Sequence, residues 1–221
     1  MAYRMTTRKE LWNDWTSEYI YEGDPIPLFE TTADDVVLTK EYGSDDRSIL
    51  KRSPDMEDAI QREGMKVIGD WHTTDSEYEG LLYLMYRLQD GEVIPLYVGK
   101  AGKYGRDGER LSVNIADLRG RSKSKFARWG DGYAYHIGEL SAAVLDHEKP
   151  PVQKYSDWAD SLFEPDSRRL RTPVYFWTRA WKADDTGLYY DFETPLEEME
   201  YQIVGIISDL YPDDLLNTEG A

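Results

Sequence analysis

Two segments decide the fold of this chain, Leu81-Leu82-Tyr83-Leu84-Met85-Tyr86 and Leu96-Tyr97-Val98-Gly99-Lys100-Ala101. The first is almost entirely apolar and aromatic, which is typical of a strand covered on both faces. Asp90-Gly91 lies between them and has the residues of a tight turn, so the two segments are predicted to form a β-hairpin. Pro95 predicts an edge position or a bulge in the return strand, because proline donates no ladder hydrogen bond.

The net charge of −17 argues at first against a nucleic-acid partner. The charge is unevenly distributed, however. Residues 1–79 contain 9 basic and 19 acidic side chains, residues 131–221 contain 7 and 19, and residues 80–130 contain 10 and 5. The only net-positive segment is the one with the tyrosine hairpin, so a positive surface for a phosphate ligand is expected to be local.

The acidic flanks have two interpretations, a surface that mimics DNA or docks a partner, and a general solubilising shell. We favour the shell, because the acidic residues are spread without long blocks and such self-repelling surfaces are tolerated in concentrated salt. A halophilic source is therefore our hypothesis for the charge.

The chain has 221 residues, 40% of them hydrophobic, which is enough for one large domain or a domain with an extension. No apolar run is long enough for a membrane span, and the first residues have no signal-peptide core. We therefore expect a soluble, cytoplasmic protein with no membrane partner. The absence of cysteine excludes disulfides, thiolate metal sites and a cysteine nucleophile.

A helix is predicted after the hairpin, with Asp107 as its N-cap. Arg110 and Asn114 are four residues apart and would lie on one side of this helix, from which they could reach a site beside the hairpin. The planar guanidinium of Arg110 suits phosphate, although a solvated surface charge is an equal alternative. The apolar face of the helix would consist of Leu111, Ile115 and Leu118.

Weaker patterns predict further elements along the chain. Helices are predicted near Lys9–Tyr19 and at Tyr155–Phe163, and strands at Asp35–Thr39, Tyr133–Leu140, Pro173–Trp181 and Gly187–Phe192.

The histidines His72, His136 and His147 lack metal-ligand spacing and are expected to have local roles.

A C-terminal helix is predicted with Thr194 as N-cap, Pro195 at its first position and Glu197 in a capping box. On a helical wheel Glu200 falls among the apolar residues, whereas Glu198 faces solvent. An ionised carboxylate on a buried face needs compensation, so Glu200 calls for a partner. A divalent metal is our preferred partner, and a buried ion pair with an arginine is the alternative.

The chain resembles the GIY-YIG nucleases, a family that includes excision-repair endonucleases, homing endonucleases and some restriction enzymes. Leu81-Leu82-Tyr83 resembles the first signature, although its glycine is displaced to Gly80 or replaced by Leu81. Tyr97-Val98-Gly99 resembles the second signature, continued by Lys100-Ala101 as in the repair enzymes.

Further positions extend the resemblance. The family's helical arginine falls on Arg110, and Asn114 stands where the restriction branch often has a histidine. Glu200 matches the family's metal-binding glutamate, and Pro212 and Asn217 resemble the proline and asparagine that follow it. We therefore predict an α+β fold, a small mixed or antiparallel β-sheet flanked by helices. Residues 1–79 would be an acidic N-terminal extension of unknown role, and residues 80–217 a nuclease domain with an insertion at about 119–171.

The resemblance implies a metal-dependent DNA endonuclease that hydrolyses phosphodiester bonds with one Mg²⁺ or Mn²⁺ held by Glu200. Arg110, assisted by Lys100 and Arg106, would hold the phosphate oxygens. Tyr83 or Tyr97 would orient or deprotonate the attacking water, which requires a phenol whose pKa is lowered by nearby cations. The sequence leaves open which tyrosine is the base.

The insertion begins with the densest basic run of the chain, which is either a contact to the phosphate backbone or a solvated loop. Its position next to the predicted site favours DNA, bound by a monomer or a homodimer. The rival function is a non-catalytic DNA-binding or interaction module, from a mobile element or a virion, that retains the fold. The expected nucleic-acid contacts are Arg106, Asn114, Arg119, Arg121, Lys123, Lys125 and Arg128.

The halophilic hypothesis predicts that the midpoint of thermal unfolding rises between low and molar KCl, because salt screens the repulsion among acidic side chains. Circular dichroism across a KCl series measures this midpoint. A midpoint that stays constant or falls would contradict the hypothesis.

Overall fold

The computed structural model describes residues 6–189 and 192–217. It confirms the α+β class. The helices are α1 Arg8–Tyr19, α2 Pro54–Gly69, α3 Val113–Ala116, α4 His136–Val144, α5 Gln153–Leu162 and α6 Leu196–Leu210, and the strands are β1 Ile26–Pro27, β2 Thr39–Tyr42, β3 Arg47–Leu50, β4 Tyr78–Gln89, β5 Glu92–Gly102 and β6 Tyr175–Lys182.

A four-stranded antiparallel sheet has the order β1-β6-β4-β5, and β2 and β3 form a separate hairpin. The predicted tyrosine hairpin is confirmed as β4 and β5, with Tyr83 opposite Gly99. The pairing shifts by one residue between Met85 and Tyr86, where Pro95 becomes the partner of Tyr86. Pro95 predicted an edge position or a bulge, and the structure has both, since β5 is an edge strand and its residue Leu96, next to Pro95, is the extra residue of a bulge.

The central strand β4 is buried on both faces and divides the interior into two cores. Leu81, Tyr83 and Met85 face the first core, which contains side chains of α2 to α5. Leu82 and Leu84 face the second core, which is formed with α1 and α6. The period of two along a strand explains this division, because successive side chains point to opposite faces.

The N-terminal residues are part of both cores. Helix α1 begins with a capping box between Thr7 and Glu10, and it buries Trp12 and Trp15 in the second core. The Trp12 indole donates a hydrogen bond to the Val93 carbonyl at 3.2 Å. Strand β1 pairs with β6, and α2 packs in the first core. The predicted boundary between residues 79 and 80 lies inside β4.

Several predicted elements differ from the structure. The strand predicted at Asp35–Thr39 is not formed: Val36 and Val37 make isolated bridges to Arg169 and Thr31, and β2 begins only at Thr39. The strand predicted at Tyr133–Leu140 is wrong because α4 begins at His136. In that segment Gly138 lies directly against the Gly132 backbone, where an added Cβ would be 2.1 Å from the Gly132 carbonyl oxygen. This close approach holds the first turn of α4 against the residues that precede it.

The helix predicted from Asp107 begins only at Val113. The Asp107 carboxylate accepts hydrogen bonds from the N–H groups of Glu109 and Arg110, as an N-cap would. The chain does not continue as a helix there because the loop pairs with itself, and the Gly105 N–H donates to the Arg110 carbonyl. Regular helix is confined to the four residues of α3 after Ser112. Of the return strand predicted at Gly187–Phe192, residues 190 and 191 lie outside the described residues, and a single bridge joins Thr186 to Glu193.

A buried ion-pair network attaches the insertion to the rest of the protein. The Arg52 guanidinium, fully buried, lies 2.5 Å from the Asp131 carboxylate and 2.9 Å from that of Glu57. Lys40 and Lys123 pair with the same two acids from the rim. Arg52 also donates to the Trp129 carbonyl at 2.6 Å, so β3, α2 and the residues before α4 are joined through one side chain.

We expect Asp131→Ala to lower the free energy of unfolding by about 3–5 kcal/mol, because it leaves the buried Arg52 charge without its closest carboxylate. Urea denaturation followed by tryptophan fluorescence measures this loss. The matched control is Asp45→Ala in the exposed β2–β3 turn, with an expected change within about 0.5 kcal/mol. Equal losses in the two variants would contradict the assigned role of the network.

Candidate active site

The site is formed where β5 leaves the sheet, and Gly99 is the position that permits it. The Tyr83 ring lies across Gly99, so an added Cβ there would be 2.7 Å from the Tyr83 Cε2 and 2.9 Å from its hydroxyl oxygen. The Tyr83 hydroxyl donates a hydrogen bond to the Lys100 carbonyl at 3.2 Å. A tyrosine from the central strand thereby reaches the edge of the sheet.

Burial changes the acid–base properties of Tyr83. The side chain is 2% exposed, and burial raises its pKa well above the ordinary value. The negative charge of Glu200 acts in the same direction, and the positive charge of Arg128 opposes it only in part. The expectation of a phenol with a lowered pKa is therefore wrong for Tyr83, because removing its hydroxyl from water outweighs the nearby cation.

Tyr97 lies beside Tyr83, with 6.3 Å between the two ring centroids. Its ring contacts Trp158 and His136 at centroid distances of 4.8 and 5.1 Å, and the Lys154 ammonium lies 4.6 Å from its centroid. Tyr97 is 8% exposed, more than Tyr83. The sequence thus predicted the neighbourhood of the two tyrosines, but not the aromatic cluster around them.

Lys100 and Glu200 meet across a hundred residues of sequence. The Lys100 ammonium lies 2.5 Å from the Glu200 carboxylate and 3.6 Å from that of Glu197. Burial alone would lower the pKa of Lys100, but the hydrogen bond and the charge of Glu200 raise it above the ordinary value. Lys100 therefore stays an ammonium, and the partner of Glu200 is a lysine, not the arginine considered from sequence.

The depth of Glu200 differs from the prediction. Its side chain is 21% exposed, so it is half-buried and not fully buried. Ile203, Val204 and Ile207, one and two turns later on the same face of α6, are buried. Glu198 is exposed, as the helical wheel predicted, and its carboxylate accepts a hydrogen bond from the Gln202 amide at 3.3 Å.

The ends of α6 are fixed to the sheet. The predicted capping by Thr194 and Glu197 is wrong: α6 begins at Leu196, and the Glu79 carboxylate of β4 accepts the Leu196 N–H at 2.6 Å. Beyond the helix, the Asn217 amide accepts from the Val98 N–H at 3.0 Å and donates to its carbonyl at 2.9 Å. Both contacts hold Glu200 in register with the end of β5.

A cleft of about 740 Å³ opens next to Lys100. One wall is the loop 103–112, in which the Gly105 N–H donates to the Arg110 carbonyl and the Ser112 hydroxyl donates to the Gly102 carbonyl. Arg110 extends from this loop, not from a helix, and is 86% exposed. The polar side chains that line the cleft include Lys100, Arg106, Asp107, Arg110, Ser112, Asn114, Arg128 and Tyr135.

The loop is held from beneath by a buried pair. The Lys103 ammonium, which has no exposed surface, lies 2.5 Å from the Asp70 carboxylate. Burial alone would raise the pKa of Asp70, but the hydrogen bonds from Lys103 and from the N–H groups of Glu77 and Tyr78 lower it well below the ordinary value. Asp70 is thus a fixed anion that positions the cationic loop.

Only part of the predicted nucleic-acid surface reaches the cleft. Arg106, Asn114 and Arg128 line it. The other four have different surroundings: Lys123 pairs with Glu57, Lys125 pairs with Asp117 at 3.2 Å, Arg119 lies over the Trp71 ring, and Arg121 lines a separate depression with Lys123.

His136 lies beside the tyrosines of the site, although the sequence indicated only a local role for it. It is 2% exposed, and its Nδ1 lies 2.9 Å from the Tyr155 hydroxyl. Burial lowers its pKa well below the ordinary value, and the charges of Lys154 and Arg128 act in the same direction. The neutral imidazole of His136 thus packs beside Tyr83 and Tyr97. The residues around His136 in the sequence have no motif or spacing that would have predicted its position beside the site.

The carboxylates of Glu200 and Glu197 are the side chains at this site that could hold a divalent cation such as Mg²⁺. Mg²⁺ prefers oxygen ligands and is often held by one or two carboxylates together with waters and phosphate oxygens. Glu200, with Glu197 nearby, fits that minimal set, although both carboxylates now surround the Lys100 ammonium. Within residues 6–189 and 192–217, no group of three or more potential ligands among histidine and acidic side chains is present.

A scan against models of protein families, a search of curated proteins and a search of solved structures each found no match to this chain. The GIY-YIG resemblance therefore stays a prediction. In the part of the chain that the structure describes, no helix combines the length and apolar character needed to cross a membrane.

We expect Gly99→Ala to lower the free energy of unfolding by about 1–3 kcal/mol, because its Cβ overlaps the buried Tyr83 ring. Gly205→Ala on α6 is the control, since open space surrounds that position and alanine favours a helix by up to about 1 kcal/mol. Urea denaturation measures both variants. In a Tyr83→Ala background the cost of Gly99→Ala should disappear; an unchanged cost would contradict this explanation.

Proposed function

We propose that this protein is a metal-dependent DNA endonuclease that hydrolyses phosphodiester bonds. The observation that carries the proposal is the meeting of Lys100 and Glu200 at the end of β5, beside a cleft whose wall carries Arg106 and Arg110. A phosphodiester at this position would have cations for its oxygens on one side and a carboxylate on the other, as metal-assisted phosphoryl chemistry requires.

Each side chain has a distinct role in this proposal. Glu200 would hold one Mg²⁺ or Mn²⁺, and the bound ion would supply charge stabilisation at the leaving oxygen. Arg110 binds a non-bridging phosphate oxygen through its planar fork, which its exposed position in the loop 103–112 leaves accessible. Lys100 binds a second phosphate oxygen, which draws its ammonium away from Glu200.

The two tyrosines differ in this scheme. Tyr83 stays a neutral phenol because burial raises its pKa, and its hydroxyl is directed to the Lys100 carbonyl. Tyr83 therefore acts by shaping the edge of β5, and the role of orienting the attacking water is assigned to Tyr97, the more exposed of the pair.

The alternative is a non-catalytic DNA-binding or interaction module that retains the fold. The Lys100–Glu200 pair favours it, because a lysine already compensates the carboxylate that a metal would otherwise need to neutralise. The nuclease and a DNA-binding module both predict DNA in the cleft and differ in whether a strand is cut, whereas an interaction module predicts neither.

Cleavage of supercoiled plasmid with Mg²⁺ or Mn²⁺ across a KCl series tests the proposal. Wild type should cut, EDTA should abolish cutting, and Glu200→Ala should reduce the rate by about a hundredfold or more, as expected when a group that stabilises developing charge is lost. Arg110→Ala should cost a similar factor. Gel electrophoresis resolves nicked, linear and supercoiled forms.

Two matched variants make the result specific. Glu198→Ala removes an exposed acid from the same helix, and Arg62→Ala removes an exposed arginine from α2; both should cut like wild type. Equal cutting by wild type and Glu200→Ala would refute the nuclease assignment. Binding of DNA without cutting by any form would favour the module.

A further inference from the structure

Aromatic side chains lie in the same cleft and next to it, and the proposed reaction does not use them. Tyr104 lines the cleft and is 44% exposed. Tyr201 on α6 lies next to the cleft, since its ring centroid is 5.3 Å from the ammonium of Lys100, which lines the cleft, and it is 59% exposed. Tyr135 lines the cleft too, with the Arg128 guanidinium carbon 5.9 Å from its centroid. Two of these rings, Tyr135 and Tyr201, therefore have a cationic side chain of the cleft beside them.

This combination suits unpaired nucleotides. Bases of single strands stack on aromatic side chains while cations follow the phosphates, and neither contact is available when the bases are paired inside a duplex. Asn114 adds a polar contact: within the described part of the chain its buried Oδ1 has no hydrogen-bond partner, and it lies on a residue that lines the cleft. Such an oxygen can accept a hydrogen bond from the N–H edge of an unpaired base.

The charge distribution disfavours a long duplex contact. Lys123 and Lys125 outside the cleft already have carboxylate partners, and Arg119 lies over the Trp71 ring. Of the basic run outside the cleft, this leaves Arg121, in a separate depression, to extend the positive surface. The flanking segments are strongly acidic and would repel the phosphates of a duplex that lay across them. The cleft volume is that of a small-molecule site, which is about 300–1,000 Å³, and fits a few nucleotides.

We propose that this cleft binds an unpaired stretch of a DNA strand, with bases stacked on Tyr104 and Tyr201 and phosphates held by Arg106, Arg110 and Arg128. This inference rests on the proposed function, because it names the form of DNA that the same site receives. The preferred substrate is then a single strand or an unpaired segment within a longer DNA.

Fluorescence anisotropy in EDTA tests the proposal without cleavage. The probes are a labelled single strand of about 12 nucleotides, within the usual site size of such proteins, and a hairpin duplex with the same number of phosphates. Wild type should bind the single strand at least about tenfold more tightly than the duplex. Tyr104→Ala and Tyr201→Ala should each weaken single-strand binding by about tenfold, the effect of losing one stacked base.

Variants at the same positions separate stacking from folding. Tyr104→Phe and Tyr201→Phe keep the ring and should bind like wild type. Tyr21→Ala removes an exposed tyrosine whose hydroxyl bonds to the Gly91 carbonyl in the β4–β5 turn, away from the cleft, and should also bind like wild type. The proposal is overturned if the duplex binds as tightly as the single strand, or if both alanine variants at the cleft bind like Tyr21→Ala.

The two proposals fail in different ways. Tyrosine-dependent binding of the single strand together with no cutting in Mg²⁺ or Mn²⁺ supports the binding mode and removes the nuclease assignment. If plasmid cutting depends on Glu200 but Tyr104→Ala and Tyr201→Ala bind the single strand as tightly as wild type, the nuclease assignment is supported and the proposed binding mode is overturned.

Discussion

Strand β4 is buried on both faces, and this determines where polar side chains of the sheet can reach solvent. Side chains on one face of the strand enter the first core and those on the other face enter the second, so neither face reaches water. The neighbouring strand β6 covers one edge, which leaves the end of β5 as the exposed margin of the hairpin. Lys100 lies at that margin, and Asn217 and Ser112 bond to the backbone of the same strand. The cleft, the α6 carboxylate and the cationic loop thus meet there.

Several cationic side chains of the protein are held in buried ion pairs, and this limits how many cations can bind a ligand at this margin. Asp131 and Arg52 join the insertion to β3, and Asp70 and Lys103 support the loop 103–112. Buried pairs of this kind contribute little net stability compared with apolar packing, but losing one partner is costly. A chain with an excess of acids therefore uses several of its cations internally. The cations that remain exposed around the cleft are few, which makes the positive surface small and localised.

The sequence predicted the elements whose signal is periodic or sits within one local segment. The hairpin, α1, α5, β6 and the course of α6 follow from apolar spacing, which places Tyr83 on β4, Lys100 on β5 and Glu200 on α6. The errors occur where pairing within a loop or close packing overrides periodicity. Backbone hydrogen bonds join Gly105 to Arg110 across the loop 103–112, so the helix begins only at Val113. Gly138 packs on the Gly132 carbonyl near the start of α4.

Pairings between distant residues could not be predicted in the same way. Asn217 with Val98, and Glu79 with the first N–H of α6, depend on how the layers stack, for which one sequence has no periodic signal.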